Sequence, residues 1–214
     1  LGDVYKRQLL HCDAVQGFLK VPCDPVGWGV DLMSLSAHKI GGPKGAGALY
    51  TAPALRNLRP LLPGGGQEGG LRSGTEATAQ IAGFARAVAL RQENLAEKLR
   101  HMADIKAYCR ERLLSIPGVV PVGQGEAPHI LAVSLVGYPS ANIVTDLGAK
   151  GICISAGSAC HRGKASHVVS ALHLDKKTAA GVIRVSFGPE TTRADIDGLY
   201  QALLDHKNQR FPML

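Results

Sequence analysis

Ser36, His38 and Lys39 follow directly on an apolar run, residues 30–35, and Gly41, Gly42 and Gly45 come immediately after them. The run is short, apolar and bounded by turn residues, which predicts a buried strand. Its end would deliver a hydroxyl, an imidazole and an amine to one place. In open α/β sheets the carboxyl ends of the strands are where ligands bind. The glycines would let the backbone come close to such a ligand. A lone lysine beside a loop is ordinarily a surface lysine. Here the hydroxyl and imidazole suit a phosphate, and an amine in a partly dry site can lose its proton and become a nucleophile. An amine beside a phosphate grip is what pyridoxal phosphate requires, because the amine condenses with its aldehyde while the phosphate is held.

Four further places carry residue types that could do chemistry. Asp13 ends a short apolar run and is followed by Gln16. It reads either as a turn or cap aspartate or as a carboxylate paired with a pyridinium nitrogen. The glycine-rich stretch 64–75 ends in Arg72-Ser73-Gly74-Thr75. It is either a flexible linker or, if Thr75 begins a helix, an anion site at a helix N-terminus. Cys160 stands among small residues and glycines, with His161, Arg162 and Lys164 beside it. Nearby cations lower a thiol's pKa and raise its thiolate fraction, so Cys160 is the candidate reactive thiol in an exposed loop. Cys12, Cys23, Cys109 and Cys153 lie in apolar or helical settings and read as small buried hydrophobes. Arg184 sits inside an apolar strand pattern, where a charge is expensive unless paired. It reads as half of a buried salt bridge or as a bidentate clamp on a substrate carboxylate. His161 and His167 complete no ligand set, so no metal site is expected.

These groups need elements to hold them. Strands are predicted over 9–13, 30–35 and 46–51, the last as a hairpin-like return. A helical pattern runs from 76 to about 115 with a break near Arg91, and Pro117-Gly118 stops it. A second set follows: strand 129–136, helix 140–150, strand 152–155, helix 168–174, strand 182–187 and helix 192–208. Thr191 or Thr192 would cap the last of these.

The totals set the class. The chain has 214 residues, 45% of them hydrophobic, enough for a sizeable core and one or two domains. No run approaches membrane-spanning length, and no secretory pattern opens the sequence. The formal net charge is +7, but the basic residues are scattered and aromatics are few. That disfavours nucleic acid and suits anionic partners: a phosphate cofactor, a carboxylate substrate or an acidic acceptor protein. Five cysteines, an odd number without a Cys-x-x-Cys, fit a reducing cytoplasm.

Ser36-Ala37-His38-Lys39-Ile40-Gly41-Gly42-Pro43-Lys44-Gly45, with Asp13-Ala14-Val15-Gln16 upstream and Arg72-Ser73-Gly74-Thr75 downstream, resembles the cysteine desulfurases of the NifS/IscS type. These are fold-type I, class V pyridoxal-phosphate enzymes, and the resemblance runs from about Leu9 to near the C-terminus. It implies an α/β fold: a partial fold-type I PLP-transferase large domain over 9–91, followed by a small α+β C-terminal domain over 92–214. Residues 1–8 do not match and read as a non-native or frayed lead. The implied cofactor is pyridoxal 5'-phosphate, linked to Lys39. Asp13, Gln16, Ser36, His38 and Thr75 would bind it, Thr75 acting on the phosphate of a partner subunit in a homodimer. Arg184 would hold the carboxylate of L-cysteine, and Cys160 would take its sulfur as a persulfide for an acceptor or iron–sulfur scaffold protein.

The family's N-terminal half has no counterpart here. The 214 residues alone are therefore expected to bind cofactor poorly, to be inactive and to aggregate. A selenocysteine lyase, another class V aminotransferase, or a truncated chain acting only as a binding module are the competing readings.

Overall fold

A computed structural model of the chain describes residues 8–55, 58–156 and 167–213. The reading of residues 1–8 thus falls almost wholly outside the described residues. The chain divides into two compact units, Leu1–Leu95 and Ala96–Leu214.

The first unit holds a three-stranded sheet in the order β1-β2-β3, formed by His11–Asp13, Leu32–Ser36 and Gly47–Thr51. β1 and β2 run parallel, with Asp13 opposite Ser34. Parallel neighbours need a crossover, and residues 14–31 supply it. β3 returns antiparallel beside β2. β2 is shorter at its start than the apolar run, and it ends at Ser36. Ala37–Lys39 is then a 3₁₀ turn, so Lys39 sits past the strand end on a turn. Ala14, Val30 and Met33 form the buried core of the sheet, with Leu10, Cys12, Leu35 and Tyr50 packed against it.

α1, Thr78–Gln92, packs on the lysine-bearing turn through a second cluster of Leu19, Ile40 and Ala87. Gly42 is required there: a Cβ on it would lie 3.0 Å from Ala37 Cβ and 3.2 Å from Ala87 Cβ. The predicted helix break falls at Asn94, whose φ of 52° interrupts the helical path before α2, Leu95–Leu114. The helix begins at Thr78 with Ala77 as its uncapped N-terminal neighbour, so Thr75 does not start it, contrary to expectation.

In the second unit β4, β5 and β6, Val119–Pro121, Ile130–Leu135 and Val182–Ser186, form an antiparallel sheet in that order. Alternation puts Leu131, Val133 and Leu135 on the inner face, where Ile183 and Val185 join them. Met102, Ile105, Cys109 and Leu113 recur at helical spacing along α2 and close over that face. α3, Ser140–Ala149, contributes Ile143 and Leu147 to the same cluster. Each such aliphatic side chain stabilises the fold by roughly 1.5–3 kcal/mol.

Two short helices follow, α4 (His167–Ala171) and α5 (Lys176–Ala180). Asp175 caps α5 by accepting from the backbone of Lys177 and Thr178. α6, Arg193–Gln209, opens with a capping box between Thr192 and Asp195. Its far end is tied to α3 by Asp146, which accepts from His206 Nδ1 at 2.9 Å and Arg210 Nε at 3.1 Å. Arg210 first, then His206, holds the Asp146 carboxyl below the usual carboxylate range.

Residues 152–155, read as a strand, form none; only Ser155 bridges to Arg184. β4 and α5 were not expected. α5 is pressed against β5 at Gly181, where a Cβ would meet Leu135 O and would lie 2.7 Å from Leu135 C and 2.8 Å from Ser134 Oγ. Ser134, fully buried, donates its hydroxyl to Thr178 O at 2.6 Å in the same place. Gly181→Ala should therefore destabilise the chain by about 3 kcal/mol, because the neighbours are mostly backbone and cannot give way. A urea midpoint unchanged from the parent chain would contradict this. No helix among the described residues is long and apolar enough to cross a membrane.

Candidate active site

In the first unit the carboxyl ends of β1 and β2 point the same way, and four of the anticipated residues gather there. Asp13 closes β1, and the next backbone amide, Ala14 N, donates to Ser34 O at 3.1 Å. Ser36 closes β2, and its Oγ pairs with His38 Nδ1 at 2.8 Å. This fixes the imidazole and the hydroxyl as one polar unit. Lys39 is half-buried, while His38 beside it is exposed. Gly41 (φ 89°) and Gly45 (φ 83°) occupy the left-handed region, which a side chain would strain. The turn is locked by Ile40 N and Gly42 N, both donating to Ala37 O.

Asp13 performs the turn role as well as standing at the site: its Oδ1 accepts from Val15 N at 3.0 Å. Oδ2 has no hydrogen-bond partner among the described residues, which leaves an acceptor for a cationic ring nitrogen. Gln16 is exposed four residues before Lys20, and its Oε1 accepts from Lys20 Nζ at 3.4 Å. Lys20 was missed by the sequence reading. Its signal was spacing, since Asp13, Gln16 and Lys20 recur at i, i+3 and i+7 along one turn-rich segment.

A pyridoxal phosphate fits these residues. The amine, the carboxylate acceptor and the Ser36–His38 pair stand on one edge, on rigid strand ends. Thr75 is less clear-cut. It is exposed and makes no side-chain hydrogen bond among the described residues. Its loop folds on itself instead, with Gly74 N donating to Gln67 Oε1 at 3.4 Å.

In the second unit Arg184 lies on β6 opposite Ala132. No acidic side chain pairs with it among the described residues, so the salt-bridge reading is not what the fold shows. Among the described residues its Nε is buried without a hydrogen-bond partner. A buried donor in that condition costs roughly 1–3 kcal/mol, which an incoming carboxylate would offset. Arg184 also exchanges backbone hydrogen bonds with Ser155, at 2.7 and 3.1 Å. Cys160 lies outside the described residues.

The other cysteines divide differently from expectation. Cys109 is buried, and burial pushes its thiol up to about 12. Cys12 and Cys23 are half-buried. Cys153 is exposed, which corrects its reading as a buried hydrophobe. Ile152 and Ile154 pack on the core, and alternation turns the residue between them outward. Among the described residues no cluster of His, Cys, Asp and Glu is fit to hold a metal.

Comparison with known proteins bears on the chain as a whole. The chain is 38% identical to the mitochondrial cysteine desulfurase of Candida albicans over 92% of its length, covering 41% of that protein. It is 35% identical to cysteine desulfurase IscS of Clostridium botulinum over its whole length, covering 56% of that protein. The fold superposes on the solved NifS-like protein of Rickettsia africae with a TM-score of 0.84 at 29% identity, over 94% of this chain and 54% of that one. The chain thus spans about half the length of the relatives it matches. The profile of the Aminotransferase class-V family matches residues 2–199, and the chain belongs to that family.

Proposed function

We propose that this chain is part of a pyridoxal-phosphate-dependent cysteine desulfurase. The observation that carries the reading is the edge where the Lys39 turn, the Ser36–His38 pair and Asp13 meet at parallel strand ends. The names of its relatives support it. When bound, the cofactor supplies an electron sink for the carbanion at the substrate's Cα.

The chain's own residues do the rest. Lys39 holds the cofactor covalently, then moves the proton at Cα. Asp13 keeps the ring nitrogen protonated, Gln16 donates to the ring hydroxyl oxygen, and Ser36 and His38 hold the phosphate. Arg184 clamps the carboxylate of L-cysteine with its guanidinium, whose Nε has no hydrogen-bond partner among the described residues. Cys160 attacks the substrate sulfur: a sulfur–sulfur bond forms, the carbon–sulfur bond breaks, and its electron pair stays with carbon. Carbon takes a proton, so cysteine and a thiol become alanine and a persulfide.

In this reading Thr75 reaches the cofactor phosphate of a second copy in a homodimer, and a sulfur acceptor or iron–sulfur scaffold collects the product. A thiol chemistry of this kind belongs in a reducing compartment such as the cytoplasm. The activity is assigned to the whole protein. The 214 residues alone are expected to bind cofactor weakly and to aggregate, because β3 is a sheet edge with Leu49 54% exposed and Leu61 beyond it is 93% exposed.

The test uses the longest polypeptide encoded with this sequence, supplied with pyridoxal phosphate and, in separate arms, L-cysteine and L-selenocysteine. Alanine and protein-bound persulfide should appear in equal amounts. A 2-oxo acid without persulfide would reassign the chain to the aminotransferases, turnover of selenocysteine alone to the lyases, and cofactor-free protein with no turnover to a binding module.

A further inference from the structure

Lys20 is half-buried and belongs to no ion pair among the described residues. Its one side-chain hydrogen bond there is to Gln16 Oε1, at 3.4 Å. The segment between them is a tight turn that passes through the left-handed region at Leu19 (φ 54°), with Gly17 N and Phe18 N donating to Ala14 O and Lys20 N to Gly17 O. α1 anchors it from a distance in sequence, since Arg91 Nε donates to Leu19 O at 3.5 Å. Burial, with Arg91 and Lys39 as neighbouring cations, lowers Lys20 to about 8. Charged or neutral, a lysine amine still offers N–H groups.

An amide side chain has one end that accepts and one that donates, and nothing in its shape decides which faces outward. A lysine amine that donates to Oε1 decides it. We propose that Lys20 is a positioning residue which occupies the carbonyl end of Gln16 and so presents the Gln16 Nε2 protons at the carboxyl edge of β1 and β2, toward the ring hydroxyl oxygen of the cofactor. Without Lys20 the amide is free to turn its carbonyl to that oxygen, where two acceptors would repel. The donor half of the claim rests on the cofactor reading above; the orienting contact stands on the chain alone.

The experiment has two arms, both on the longest polypeptide encoded with this sequence. In cofactor-free protein labelled with ¹⁵N-glutamine, the Gln16 side-chain resonance, identified by its loss in Gln16→Ala, should shift in Lys20→Met and return in Lys20→Arg. In the second arm pyridoxal phosphate affinity is titrated. Gln16→Ala should weaken it about tenfold, Lys20→Met several-fold, and the double variant no more than Gln16→Ala alone. Lys20→Arg should restore most of the loss. An unmoved resonance, or a Lys20→Met loss that persists in full once Gln16 is gone, would overturn the proposal. If the unsubstituted protein takes up no cofactor, the functional reading falls, while the resonance still decides whether Lys20 orients Gln16.

Discussion

Lys39→Ala is expected to remove the visible absorption band of the cofactor-loaded protein and to lower turnover by at least about 10³-fold, a barrier increase of about 4 kcal/mol. The size follows from the number of roles one amine fills. In the proposed reading it anchors the cofactor, and in the same place it carries the proton whose removal starts the reaction. Its position leaves no substitute. The Ala37–Lys39 turn is closed by two hydrogen bonds to Ala37 O and seated on α1 through Ile40. Lys20 lies close enough for its charge to be felt at Lys39, but its amine is engaged by Gln16.

Phosphate binding should survive, because Ser36 and His38 hold each other and not the lysine. The variant is therefore expected to bind cofactor reversibly and weakly while showing no covalent attachment by mass spectrometry after borohydride reduction. Lys39→Arg should behave alike, since a guanidinium keeps the charge but does not condense. If Lys39→Ala kept both the band and the reducible link, another amine would be the anchor.

The parts of this site that were legible in the sequence are those where chemistry and local geometry coincide. The largely apolar run 30–35 leads directly into Ser36, so strand and site announce each other. Thr192 and Asp195 are three apart before an amphipathic run, and that spacing alone specifies the capping box. What was not legible depended on contacts distant in sequence. Residues 152–155 alternate as a strand does, yet only Ser155 meets a partner, because the backbone of β6 is open to it at Arg184 alone.

β4 is three residues ending in Pro121, too short for a pattern to show. Thr75 was taken for a helix start since threonine caps helices, but Thr78 begins the helix and no threonine caps it. The Lys20–Gln16 contact needed the turn between them, which no apolar periodicity marks.

Cys160→Ser should leave the cofactor band of the loaded protein intact and still abolish persulfide formation, with cysteine turnover reduced at least about 10³-fold. The two readouts separate because the groups act at different places in the chain. In the proposed reading cofactor uptake belongs to residues from Asp13 to Thr75, and the sulfur chemistry to Cys160.

A hydroxyl is the right probe. It preserves size, but it is a far poorer nucleophile toward sulfur than a thiolate, so loss of activity with retained colour isolates the nucleophile. The remaining cysteines provide the control. Cys109 is buried with its thiol pushed up to about 12, so it stays protonated and inert to alkylation near neutral pH. Cys153 is exposed and seven residues from Cys160 along the same connection, so it is the thiol that would answer if Cys160 did not. Persulfide on Cys153 in the Cys160→Ser protein, at the parent rate, would transfer the role to it. A fall in rate seen in Cys160→Ser and absent from Cys153→Ser would fix it on Cys160.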